Sequence, residues 1–180
     1  LNRILGSSGW MELPLVCVVL SGCTVDEMLK DAAMATASGA DIVEVRLDRL
    51  WVNEVFPEVP EGDVEDSKPR RNQRPEPEYV PQPLESVDLS PVLDSFKQGL
   101  ELPVILTCRS EGQGGYFPGT EEERLDVLSE GIKSGPSWVD LEFEIGDKAR
   151  KKLVKLASGK TKVICSQHSS EKPPPASEIV

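Results

Sequence analysis

The sequence predicts an α/β fold, with about five parallel strands and helices outside, as in the N-terminal portion of a (βα)₈ TIM barrel. Short apolar, β-branched runs alternate with helical segments along the 180 residues, which is typical of a parallel sheet. Charged residues occupy alternate positions near the C-terminal ends of several runs. A barrel builds its functional site at that end of its strands.

The first strand and helix are predicted from local signals. The apolar run over 13–20 predicts a strand. Thr24 and Glu27 form a capping box, which opens a helix that ends near Gly39. The Ile/Val-rich segment 41–50 predicts the second strand.

The second half of the chain continues the same alternation. Thr120 and Glu123 form another capping box, and its helix ends near Gly135. The remaining predicted elements are helices over 87–99 and 147–157 and strands over 102–109, 138–145 and 162–167.

The composition changes between residues 56 and 91, which contain eight prolines, an acidic run and then a basic run. Such a stretch buries too little apolar surface to offset its ordering entropy. We therefore predict a Pro-rich, disordered or extended insertion at about 56–86, with a polyproline ligand as the alternative. Residues 1–12 are predicted to be an N-terminal extension and 13–180 a partial barrel.

Charge and cysteine content restrict the class of protein. A net charge of −11 argues against binding to nucleic acid, and no apolar run approaches the roughly 20 residues of a membrane helix. The four cysteines form no CxxC pair, and three lie in apolar runs. This pattern favours reduced, buried thiols in a soluble intracellular protein.

Polar residues recur on one face of four predicted strands, because alternate residues of a strand share a face. Buried parallel strands are normally apolar throughout, so these stripes indicate a site at the mouth of a barrel. An exposed face on a mixed sheet is the alternative. The four sets are Glu44, Arg46 and Asp48; Thr107 and Arg109; Asp140, Glu142 and Glu144; Ser166 and His168.

Four segments, 44–48, 107–115, 139–142 and 163–168, contain all of these residues except Glu144, and they resemble type I 3-dehydroquinate dehydratases in order and spacing. The resemblance extends to the versions found in plant-type bifunctional dehydroquinate dehydratase/shikimate dehydrogenases and in fungal multifunctional shikimate-pathway proteins. The resemblance implies a (βα)₈ barrel that dehydrates 3-dehydroquinate to 3-dehydroshikimate through an imine with a lysine. It also implies no metal and no diffusible cofactor.

The resemblance assigns roles to eight residues. His168 is the expected general acid/base, and histidine suits proton transfer near neutral pH. A surface histidine is the alternative for His168, and an ion-pair scaffold is the alternative for Glu142. The expected substrate-binding residues are Glu44, Arg46, Arg109 and Gln113, and the supporting residues are Asp48, Asp140 and Glu142.

Two positions depart from the family pattern. Gln113 stands where bacterial members commonly have a glutamate oriented toward the histidine. No lysine matches the imine lysine, which the family places on a strand beyond His168, so we expect a C-terminally truncated chain that is inactive alone.

Two classes of function follow from these observations. The first is a dehydratase of the shikimate pathway that acts on a small-molecule substrate. The second is a non-catalytic remnant or an assembly or binding module. The expected partners are a second copy, through self-association, or a fused shikimate dehydrogenase domain. The expected compartment is the plastid if the protein is from a plant, and otherwise the cytoplasm.

Overall fold

The computed structural model describes residues 14–57 and 76–168. Each predicted helix is confirmed, and the five predicted parallel strands are present but shorter than expected. The strands and helices are β1 (Cys17–Leu20), α1 (Val25–Ala37), β2 (Ile42–Arg46), β3 (Val52–Val55), β4 (Glu78–Pro81), α2 (Leu89–Gly99), β5 (Val104–Thr107), α3 (Glu121–Ser134), β6 (Trp138–Glu142), α4 (Asp147–Ala157) and β7 (Lys162–Ser166). Short 3₁₀ helices cover Leu47–Trp51, Leu84–Ser86 and Glu111–Gln113.

Five of the strands form one sheet in the order β1-β2-β5-β6-β7, and all four pairings are parallel. The spatial order follows the chain without reversal, and a helix lies in each connection. A doubly wound sheet would reverse its order at a switch point, whereas a barrel adds each strand beside the last. The alternative of a mixed sheet is therefore wrong.

The two faces of this sheet have different environments. Val43 and Val45 are fully buried and pack in one apolar cluster with Met28 of α1, Phe96 of α2 and Leu128 of α3. We call the opposite face the inner face, and strand alternation and the register identify the residues that lie on it. It carries Cys17, Val19, Ile42, Glu44, Arg46, Ile105, Thr107, Trp138, Asp140, Glu142, Lys162, Ile164 and Ser166.

The inner face changes character along the strands. Near the N-terminal ends of the strands, the inner-face residues are apolar or carry a thiol, with the exception of Lys162. Arg46 and Glu142 are the last residues of β2 and β6, and Glu44 and Asp140 lie at the middle of these strands. The predicted concentration of polar residues at one end of the sheet is therefore confirmed.

A hairpin that the sequence did not predict follows β2. Strands β3 and β4 pair antiparallel, from Val52 opposite Pro81 to Val55 opposite Glu78. Of the predicted disordered or extended insertion over 56–86, residues 78–81 are an extended strand, and residues 58–75 lie outside the described residues. Prolines that argue against a central strand are tolerated in a short edge strand such as β4.

The cysteines are all free, but their exposure differs. Burial raises the pKa of the Cys108 thiol well above its ordinary value. Cys17 and Cys165 are exposed, so the expectation of buried thiols is wrong there, because β1 and β7 are the outer strands of the sheet. No helix in the described ranges has both the length and the apolar character needed to cross a membrane.

Candidate functional site

The C-terminal ends of β2 and β5 bring three predicted polar residues together. The Thr107 hydroxyl donates to Glu44 Oε1 at 2.9 Å, and Arg109 Nη2 lies 3.9 Å from the same oxygen. Arg109 follows the last residue of β5 rather than lying within the strand. Glu44 and Arg109 therefore form a loose ion pair at the end of the sheet.

Asp48 organises the loops around this pair. Strand β2 ends at Arg46, so Asp48 lies in the following 3₁₀ helix and not on the predicted strand face. Its carboxylate is fully buried and accepts two bonds from Arg46, at 2.8 and 2.6 Å. It also accepts the backbone N–H groups of Arg109 at 3.1 Å and Tyr116 at 3.2 Å. One side chain thus fixes β2 to the loop after β5.

The guanidinium of Arg46 is held as a cation. Burial alone would lower the pKa of Arg46, but the hydrogen bonds and charge of Asp48, with the charge of Glu44, raise it above its usual value. Arg46 Nε and Nη2 both bond Asp48. Arg46 therefore has less capacity than Arg109 to bind a further anion.

Glu142 belongs to an ion pair that the sequence analysis missed. Arg124 Nη1 lies 2.9 Å from Glu142 Oε2 and also donates to the Cys108 carbonyl at 2.6 Å. Both side chains are almost fully buried. The sequence signal that could have revealed this pair is Arg124, a charged residue among the apolar residues on the buried side of α3. The pairing favours the interpretation of Glu142 as part of an ion-pair scaffold. Glu144, grouped with it in the sequence, is exposed beyond the end of β6.

Arg124 and Glu142 also line a cavity of about 700 Å³ between the N-terminal ends of α3 and α4. The cavity wall does not include Asp140, Gln113 or His168. The cavity is therefore separate from the other predicted site residues.

Asp140 differs from the other carboxylates at this end of the sheet. It accepts the Ser166 hydroxyl at 2.7 Å through Oδ2, and only 7% of the residue is exposed. Unlike Asp48 and Glu142, Asp140 pairs with no cation among the described residues.

Gln113 contacts His168, but not through the imidazole. Its side-chain carbonyl accepts the His168 backbone N–H at 2.8 Å. Strand β7 ends at Ser166, so this bond holds the backbone just beyond the strand. The structure therefore brings Gln113 and His168 together through the His168 backbone, and the imidazole ring takes no part in this hydrogen bond.

The loop that carries Gln113 depends on Gly115. A Cβ there would meet the Arg109 carbonyl oxygen at 2.2 Å, whereas a Cβ at Gly112 would meet nothing within 4 Å. We expect Gly115→Ala to lower the unfolding free energy by about 1–3 kcal/mol, as overpacking does. Gly112→Ala should change it by less than about 0.5 kcal/mol. Urea unfolding of both variants measures this difference, and equal stabilities would contradict the close packing of this loop.

Several polar atoms at this end are buried and have no hydrogen-bond partner among the described residues. They are Arg109 Nε, Gln113 Nε2, Asp140 Oδ1 and His168 Nε2. Buried polar groups are nearly always bonded, so an unpaired cluster calls for an explanation. Among residues 14–57 and 76–168, no group of three or more His, Cys, Asp or Glu side chains is arranged to hold a metal ion.

The arrangement of the site can be compared with known proteins. A family model described as type I 3-dehydroquinase matches residues 16–180. The chain belongs to this family. It is 29% identical over 157 residues to a 3-dehydroquinate dehydratase of Desulfotalea psychrophila, a match that covers 87% of this chain and 52% of the relative.

Two further comparisons agree with membership in the type I dehydroquinase family. A chloroplastic bifunctional 3-dehydroquinate dehydratase/shikimate dehydrogenase of Arabidopsis thaliana is 27% identical, over 97% of this chain and 24% of its own length. A type I 3-dehydroquinate dehydratase structure from Clostridium difficile superposes with a TM-score of 0.67 at 23% identity, over 92% of this chain and 55% of that chain.

These matches confirm the predicted barrel fold class. The chain spans about half the length of the Desulfotalea and Clostridium type I dehydroquinases. Its five parallel β-strands correspond to part of such a barrel.

Proposed function

We propose that the chain forms the part of a type I 3-dehydroquinate dehydratase that carries the acid/base group. The complete enzyme would convert 3-dehydroquinate to 3-dehydroshikimate in the shikimate pathway. The observation that carries this proposal is the set of buried polar atoms on Arg109, Gln113, Asp140 and His168 that have no hydrogen-bond partner among the described residues. Family membership supports 3-dehydroquinate as the molecule that these atoms would bind.

Arg109 is the best candidate to bind the substrate carboxylate. Its Nε has no partner among the described residues, and Nη2 is only loosely paired with Glu44 at 3.9 Å. A guanidinium edge binds a carboxylate through two parallel hydrogen bonds. Glu44 would then orient Arg109 and accept a substrate hydroxyl, while Arg46 remains paired with Asp48.

His168 is proposed as the general acid/base. Formation of an imine between a lysine and the substrate ketone releases one water and makes the adjacent carbon easier to deprotonate, and hydrolysis of the imine after the elimination consumes one water and frees the product. His168 would take that proton and return it to the departing hydroxyl, which leaves as water. Gln113 supports this role by fixing the His168 backbone, and the ring Nε2 remains free of other described groups.

The imine lysine is proposed to lie outside the described residues. Among these, Lys162 is on the inner face, but it is at the opposite end of β7 with its ammonium 5.2 Å from the Trp138 ring centroid. Lys162 and Ser166 are four positions apart along the strand, which is about 13 Å. This placement also favours the second candidate function, a non-catalytic assembly module, for the 180-residue chain alone.

Activity of a chimaera tests the proposal. The chain would be continued by the second half of the Desulfotalea psychrophila relative, and dehydration would be followed by the ultraviolet absorbance of the conjugated product. We expect turnover from the chimaera and none from the 180-residue chain or from the second half alone. A folded chimaera without turnover would contradict the dehydratase proposal and favour the assembly module.

Two further features depend on the origin of the chain. The bifunctional Arabidopsis relative supports fusion to a shikimate dehydrogenase domain and a plastid location. We propose both only for a plant-type version of this protein.

A further inference from the structure

Arg49 lies half-buried in the 3₁₀ helix after β2, outside the proposed acid/base and substrate-binding residues. We propose that Arg49 is a positioning residue, which fixes the loop after β5 to the β3–β4 hairpin and so holds Gln113 against His168. The kinetic test of this role rests on the proposed function, whereas its structural test needs no turnover.

The guanidinium of Arg49 lies against two tyrosine rings. Its central carbon is 4.9 Å from the centroid of the Tyr79 ring and 5.6 Å from the centroid of the Tyr116 ring. The two rings also contact each other, with their centroids 5.0 Å apart. A guanidinium over an aromatic face is attracted by the ring quadrupole, and more strongly where water is excluded. Because Tyr79 belongs to β4 and Tyr116 to the loop after β5, one cation joins the hairpin to that loop.

Hydrogen bonds hold the guanidinium in this position. Arg49 Nη2 donates to the Tyr79 hydroxyl at 3.3 Å and to Cys23 Sγ, in the turn after β1, at 3.7 Å. The Tyr79 hydroxyl donates in turn to Oε1 of Glu54, its register partner across the hairpin, at 3.3 Å. Arg49 therefore contacts segments that follow β1, β2 and β5, which are adjacent strands of the sheet.

These contacts bear on the site through the loop after β5. The loop carries Gln113, whose side-chain carbonyl accepts the His168 N–H at 2.8 Å. Asp48 accepts the Tyr116 N–H at 3.2 Å, which anchors the loop backbone, while Arg49 anchors the Tyr116 ring. Loss of the Arg49 contacts would leave the loop free to rotate about its anchored backbone. The Gln113–His168 hydrogen bond would then loosen.

Amide hydrogen exchange of the 180-residue chain tests this coupling. We expect Arg49→Met to raise the exchange rates of the Tyr116 and His168 amides at least about tenfold, because both amides are bonded within or through the loop and would open locally. The amide of Val45, which is fully buried in β2, should keep its rate.

Two further variants make the comparison specific. Lys162→Met is the matched control, because it removes a cation 5.2 Å from the Trp138 ring at the opposite end of the sheet, and it should leave the His168 amide unchanged. Tyr79→Leu changes only the hairpin side of the contact and should reproduce the effect of Arg49→Met. The double variant should show little more than either single one, because the two residues share one contact.

Three outcomes of the exchange experiment would overturn the proposal. The first is an unchanged His168 rate in both Arg49→Met and Tyr79→Leu, and the second is an equal effect of Lys162→Met. The third is a rise at Val45 equal to that at His168 in both hairpin-contact variants, which would show a general loss of stability.

Kinetics of the chimaera separate positioning from binding. Arg49→Met should lower kcat about tenfold, because small displacements of a reacting group are costly, and should leave KM nearly unchanged, since Arg109 and Glu44 are retained. Arg49→Lys keeps a cation beside the rings and should recover part of the loss. Unchanged kcat in an active chimaera would overturn the positioning role. An inactive chimaera would contradict the proposed function alone, and the exchange experiment would then decide the role of Arg49.

Discussion

Asp48→Ala is expected to lower the unfolding free energy by about 3–5 kcal/mol, the usual cost of breaking a buried ion pair from one side. The variant leaves the Arg46 guanidinium buried without its carboxylate. It also leaves the N–H groups of Arg109 and Tyr116 without their acceptor. Urea unfolding followed by circular dichroism measures the change.

Asp41→Ala is a matched control for this prediction. Asp41 also accepts a backbone N–H, from Val16 at 2.9 Å, but it is exposed. Its loss should cost no more than about 1 kcal/mol, a typical net value for one hydrogen bond. Similar losses in the two variants would mean that Asp48 does not organise this end of the sheet.

His168→Ala is expected to reduce the turnover of the active chimaera by at least about 10²-fold, the usual scale of general acid–base catalysis. Substrate binding should change much less, because Arg109 and Glu44 are retained. Steady-state kinetics would therefore show the loss in kcat rather than in KM.

Gln167→Ala provides the control for the histidine variant. Gln167 is exposed and adjacent to His168, so its replacement tests the local backbone without touching the proposed base. We expect nearly normal kcat from this variant. Nearly normal kcat from His168→Ala as well would return His168 to the surface-histidine interpretation.

The helices could be predicted because their signals are local. Thr24 with Glu27, and Thr120 with Glu123, form the expected capping boxes, whose partners are three residues apart. The ends of the strands were harder to predict than the helices, because Ile/Val content does not show where the backbone leaves the sheet. Asp48 was therefore placed on β2, although the chain has already turned into a 3₁₀ helix.

The missed site features depend on contacts between distant residues. Arg124 meets Glu142 only after α3 and β6 have packed, and neither residue has a local signal for the other. The β3–β4 hairpin likewise pairs residues before the Pro-rich segment with residues inside it. Residue pattern predicted which side chains gather at the end of the sheet, but not which of them pair.

Borohydride trapping with 3-dehydroquinate, read by intact mass and peptide mapping, tests the central claim most directly. Reduction converts an imine into a stable amine, so it records which lysine reacts. We expect the active chimaera to gain one reduced adduct on a lysine beyond residue 180, while the mass of the 180-residue chain stays unchanged. An adduct on any lysine within residues 1–180, or no adduct on an active chimaera, would contradict the proposal that this chain supplies the acid/base histidine while the imine lysine lies elsewhere.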